Sequence, residues 1–85
     1  MATPVIRMSD PHSHGGGVVG GAWTVLANGL PIARVGDAVW CNKHKWQTVA
    51  TGSPTVFAEG QQVARVGDIT SCGAQLFSDS NVLAG

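Results

Sequence analysis

Along the chain, short apolar stretches alternate with glycine-centred breaks. Thr24-Val25-Leu26-Ala27 is apolar and partly β-branched, Asn28-Gly29 interrupts it, and Ile32-Ala33-Arg34-Val35 resumes the pattern before Gly36-Asp37. The same order recurs as Thr55-Val56-Phe57-Ala58, Glu59-Gly60, Val63-Ala64-Arg65-Val66 and Gly67-Asp68. Four-residue apolar runs bounded by turn residues predict strands. Asn-Gly is a strong hairpin signal, and Glu-Gly is its weaker counterpart. With 12 glycines and 4 prolines, the chain has no convincing helix, and only Leu76 to Asn81 has room for a short helical turn.

The recurrence is an internal repeat of period 31. Aligning Gly21–Cys41 with Gly52–Cys72 gives 21 positions, of which 11 are identical, far beyond coincidence. A third copy is split between the chain ends. Residues 4–10 match the second half of the unit, with Arg7 over Arg34 and Asp10 over Asp37. Residues 80–85 match the first half, with Val82 over Val25 and Val56. An order of half, whole, whole, half predicts a closed pseudo-three-fold object. The last strand returns beside the first and no open edge remains. The expected fold is all-β, a single domain over residues 1–85 built from short hairpin repeats.

Length and charge narrow the function. Eighty-five residues form one small domain with a marginal core that invites a staple. Charged residues are 12% of the chain and sum to zero, too few cations for a nucleic-acid stripe. A chain 44% hydrophobic with so little charge suits a folded domain that works against a partner. No apolar run approaches the roughly 18 residues of a membrane span, and residues 1–7 lack a signal-peptide layout. Synthesis in the cytoplasm, with any export by another route, is the expectation.

A metal is the better candidate staple, because a cytoplasmic origin argues against a disulfide between Cys41 and Cys72. Four residues after each turn aspartate stands a ligand type: His14 after Asp10, Cys41 after Asp37, Cys72 after Asp68. Pseudo-symmetry brings these three to one axis, and His44 joins Cys41 through a C-x2-H spacing. Two thiolates and two imidazoles suit a closed tetrahedral Zn site with a structural role. His12 is a spare that can replace one of the four. The aspartates sit in tight turns where an Asx-type bond is their ordinary use, and the recurring Arg7, Arg34 and Arg65 fit ion pairs with them. Gly15-Gly16-Gly17 lacks the Lys-Ser/Thr of a phosphate loop and reads as close backbone approach near an apex. Trp23, Trp40 and Trp46 read as core or interface anchors.

Ser13-His14-Gly15-Gly16, the repeated Thr-Val-x-x-x-Gly, the twin Ala-Arg-Val-Gly-Asp runs and Cys72-Gly73-Ala74 together resemble a PAAR-repeat protein, from Pro4 to Gly85. The resemblance implies a short β-cone with zinc near its point, capping the trimeric β-helical spike of a contractile injection machine. Such machines include type VI secretion systems and phage tails, and the spike is VgrG-type or its phage equivalent. It further implies one chain per trimer, transient contact with a target membrane, and a final location in a tail tip or outside the producing cell. Two departures stand out: Met8-Ser9-Asp10 replaces Val-Gly-Asp in the first unit, and His12-Ser13-His14 carries two histidines. No toxin extension is expected after Gly85. Val25, Val56 and Val82, three equivalent apolar positions, are the docking candidates. The expectation is a non-enzymatic protein; the alternative is a small zinc-dependent hydrolase or deaminase, which needs a general base outside the repeat pattern.

Overall fold

Three hairpin-like units close around a common axis. The computed structural model describes residues 3–78 and 80–84, in which the strands are β1 (Thr3–Pro4), β2 (Gly16–Val18), β3 (Ala22–Ala27), β4 (Leu30–Ile32), β5 (Ala38–Cys41), β6 (Lys45–Thr48), β7 (Phe57–Ala58), β8 (Gln61–Gln62) and β9 (Leu83–Ala84). No helix occurs among the described residues. β3 pairs with β4 and β7 with β8, each antiparallel. The third unit is assembled from both chain ends, with Thr3 opposite Ala84 and Pro4 opposite Leu83. The return of the last strand to the first is therefore observed; Gly85 of that half-unit lies outside the described residues.

Local chemistry explains the hairpins. Both turns need positive φ at two consecutive residues, and Asn28 (53°), Gly29 (82°), Glu59 (50°) and Gly60 (83°) supply it. Each leading turn residue then ties its unit to the neighbour. Glu59 accepts hydrogen bonds from the Thr24 amide (3.1 Å), the Thr24 hydroxyl and Arg34 Nη1 (2.8 Å). Asn28 Oδ1 accepts from Arg7 Nη1 (3.3 Å) and the Asn81 amide (3.2 Å).

Beyond the hairpins the units exchange backbone hydrogen bonds in a ring. The Ile6 amide donates to Ala64 O, the Ala64 amide to Ala33 O and the Ala33 amide to Ile6 O, each at 2.9 Å. A parallel ring runs from Met8 to Pro31 (2.8 Å), Val35 to Gln62 (2.8 Å) and Val66 to Pro4 (2.9 Å). These exchanges shorten the expected return strands. β4 and β8 stop at Ile32 and Gln62 because the chain then leaves its own hairpin to bond the next unit.

The core follows the same symmetry in two layers. The layer under the hairpins holds Ala27, Ala58 and Ala84 with Val5, Ile32 and Val63 at equivalent positions, together with Ala22. The second holds Ile6, Ala33 and Ala64, with Val18, Val49 and Leu76 outside them and Val39 alongside. Leu76 is fully buried and bridges to His12. The segment 76–81 forms no helical turn among its described residues, Asp79 lying outside them.

The Arg-Asp recurrence is structural. In each unit the Arg amide donates to the Asp Oδ2 three residues on at 2.7 Å, and the guanidinium returns to the same carboxylate. The turn and the ion pair are one device, repeated three times.

Candidate metal centre

β2, β5 and β6 form a three-stranded sheet with β5 in the middle, its Val18 and Val39 set in the second core layer rather than in the layer under the β3–β4 and β7–β8 hairpins. β5 alternates Val39 and Cys41 inward with Ala38 and Trp40 outward, the period-two pattern of a half-buried strand. Gly16 lies opposite Cys41 at φ 127°, and a Cβ there would overlap the Trp40 carbonyl oxygen. Only glycine permits this approach, which draws the His12–His14 loop onto β5.

Four side chains converge here. Cys41 is buried at the end of β5, and its Sγ accepts the His44 amide at 3.3 Å while lying 3.5 Å from His44 Nδ1. Cys72 Sγ lies 3.6 Å from His14 Nδ1 and 3.1 Å from Thr70 Oγ1. One donor atom from each of His14, Cys41, His44 and Cys72 falls within 4.8 Å of all the others, so the group can hold a metal ion. His14 comes from the split unit, Cys41 and His44 from the first whole unit, and Cys72 from the second. A shared ion would cross-link all three.

Electrostatics favour the donor forms. Partial desolvation, then the neighbouring His44, Lys43 and His12, hold the His14 imidazolium below its ordinary pKa, leaving a lone pair available. For Cys72, burial acts to raise the thiol, but hydrogen bonds from Thr70, the Ala74 amide and Cys41 outweigh it and lower the value. Both cysteines are free thiols.

His12 is not among the converging four. Its ring is buried, Nε2 lies 2.6 Å from the Trp40 carbonyl oxygen, and Nδ1 accepts the His14 amide at 3.2 Å. A carbonyl only accepts and an amide only donates, so the proton sits on Nε2. This linking role was not read from the sequence, since it depends on how the loop packs against β5.

At the hairpin end, Val25 is half-buried against the first core layer, while Val56 and Val82 are each 36% exposed. The residues immediately following are more exposed: Leu26 56%, Phe57 57% and Leu83 56%, at equivalent positions in the three units. The ring is hard to see in the sequence because Phe57 stands where the other two units have leucine. The signal available was alternation, which turns Val25 and Ala27 inward and Leu26 outward. Trp23 and Trp46 are exposed rather than core, and Trp40 is half-buried.

A protein-family model of the PAAR motif matches residues 8–78. Among curated proteins, nothing matches the chain.

Proposed function

The chain belongs to the PAAR-motif family, spike-tip proteins of contractile injection systems, and from that membership we propose that it caps a trimeric β-helical spike. In this reading the hairpin end docks on the blunt end of the spike, one chain per trimer, and the opposite end leads into the target membrane. The observation that carries it is the ring of Leu26, Phe57 and Leu83, three equivalent apolar side chains exposed to the same degree. Three identical spike chains can be met equally by one chain only if that chain repeats its contact three times. The closed hydrogen-bond ring among Ile6, Ala33 and Ala64 supports the same geometry.

We further propose that His14, Cys41, His44 and Cys72 hold Zn. When bound, Zn supplies a closed tetrahedral cross-link rather than a reactive water. Zn–S near 2.3 Å and Zn–N near 2.0–2.1 Å set a tetrahedral S···N edge of about 3.6 Å. The Cys41–His44 and Cys72–His14 separations of 3.5 and 3.6 Å accommodate it. A structural rather than catalytic role is supported by the carboxylates of the described residues. Asp10, Asp37 and Asp68 are engaged by arginines, and Glu59 is bound to Thr24 and Arg34 in a hairpin turn. None of these four stands ready as a general base.

Mass measurement of the domain mixed with a trimeric spike encoded beside it tests the docking. One chain per trimer is expected. Three chains per trimer, or no complex, overturns the reading.

A further inference from the structure

The charges of this chain cancel in sum but not in place. Arg7, Arg34 and Arg65 are each paired with an aspartate, and Arg34 also with Glu59. The two lysines, Lys43 and Lys45, are exposed and form no ion pair among the described residues. Lys43 lies within the β5–β6 turn and Lys45 opens β6, beside His44 of the His/Cys cluster. Two thiolates would cancel the charge of a bound zinc ion, so the lysines would still set the local field.

The same hairpin carries an unusual outward face. Trp40 and Trp46 are directly opposite across β5 and β6, with ring centroids 5.1 Å apart and planes at 76°. Trp46 is 61% exposed. Lys45 Nζ lies 5.8 Å from the centre of the Trp40 ring, and Trp40 Nε1 donates to Asn42 Oδ1 at 3.0 Å. Val39 and Cys41 fill the inner face of β5, so the indoles are not required there. Paired indoles beside unpaired lysines combine an amphipathic ring with positive charge. That pairing partitions to the headgroup level of a bilayer whose surface is negative.

We propose that the outer face of the β5–β6 hairpin, formed by Trp40 and Trp46 with Lys43 and Lys45, is a docking surface for anionic lipid headgroups. Charge complementarity selects the partner: the free positive charge of the described chain is gathered at this hairpin. The inference deepens the spike-tip reading by naming the surface that meets the membrane, and rests on that reading only for why a membrane is encountered. Two lysines and two indoles give weak, reversible adsorption, suited to an encounter that precedes forced entry.

The test uses the zinc-loaded full chain carrying Trp23→Phe, so that indole emission reports Trp40 and Trp46. Vesicles of phosphatidylcholine with about a third phosphatidylglycerol, compared with phosphatidylcholine alone, are the probe. Binding with blue-shifted emission is expected on the anionic vesicles only, and it should fall as salt rises. Lys43→Gln with Lys45→Asn should weaken partitioning about fivefold per lysine, about twenty-five-fold together. Asparagine suits the positive φ of 65° at position 45. Trp46→Ser, read by sedimentation, should also reduce binding. Equal binding to neutral vesicles, salt-insensitive binding, unshifted emission, or tighter binding to a single-stranded oligonucleotide overturns the proposal. Zinc content and spike stoichiometry, measured on the same variants, are expected to stay unchanged. Their loss in the parent chain would speak against the spike-tip reading instead.

Discussion

His12 joins the loop bearing His14 to the strand bearing Cys41: its Nε2–H donates to the Trp40 carbonyl at 2.6 Å while Nδ1 accepts the His14 amide at 3.2 Å. Both ring nitrogens are thereby committed, and His12 acts on the cluster by positioning His14, one of the four converging side chains. His12→Ala should lower zinc affinity about tenfold, the low end of the range for residues that orient ligands. One ion per chain should still bind. His12→Gln, which keeps a donor and an acceptor, should recover part of the loss. Competition titration with a chromogenic chelator reads both. Abolition of binding by His12→Ala, with Cys41→Ala retaining the ion, would instead make His12 a ligand in place of Cys41.

Removing a ligand should act on a different scale. Structural zinc contributes an apparent ~10–16 kcal/mol in small zinc-finger peptides, and a chain of this size has little core to replace it. We expect about one zinc per purified chain by elemental analysis, with chelation lowering the melting temperature sharply. Cys72→Ala should lose the ion and much of the stability together. Cobalt substitution should give the visible absorption of a tetrahedral site with thiolate ligands. An octahedral spectrum, or Cys72→Ala with unchanged zinc, would remove the assignment.

Much of this architecture was legible because repetition makes equivalent residues comparable. The 31-residue offset places Ala27 over Ala58, and the four-residue step from Asp10, Asp37 and Asp68 reaches His14, Cys41 and Cys72. The sheet of β2, β5 and β6 was not legible. Gly16-Gly17-Val18 has no strand pattern of its own and becomes a strand only because Gly16 fits against the Trp40 carbonyl. Ile32 to Val35 and Val63 to Val66 read as second strands of hairpins, yet they divide between two partners, since backbone groups bond the next unit as readily as their own. Local pattern reports which face is apolar; it does not report which neighbour supplies the hydrogen bonds.

The two apolar rings at the hairpin end should separate by mutation. Val25 packs against the core, so Val25→Asp should destabilise the fold itself. Leu26→Asp, Phe57→Asp and Leu83→Asp change side chains that are already more than half exposed, and each should leave melting nearly unchanged. If the ring is the docking face, each should weaken spike binding by about 1 kcal/mol or more, from lost apolar burial and a desolvated charge. Calorimetry of the zinc-loaded chain with the trimeric spike measures this. Undiminished binding in all three would move the contact elsewhere.

Glu59 supplies an acid-side test of the inter-unit ties. Hydrogen bonds from the Thr24 hydroxyl and amide, aided by Arg34, hold its carboxyl below the ordinary value of 4.5. A carboxyl lowered by folding contributes stability that is present above its unfolded pKa. That stability is lost as pH falls through the folded value. Wild-type protein should therefore lose stability through this group as pH falls below about 4.5. Glu59→Gln keeps an acceptor but cannot titrate, so its stability curve should be flatter on the acid side. Glu59→Asn places at this turn the residue that Asn28 already provides at its equivalent, and Asn suits the positive φ of 50° found there. It should fold with the same strand pairing and likewise lack this acid-side slope. Denaturant melts of the three proteins at pH 3.5, 4.5 and 6 measure the difference. Parallel pH profiles would mean that the Glu59 carboxylate contributes nothing to joining the two units.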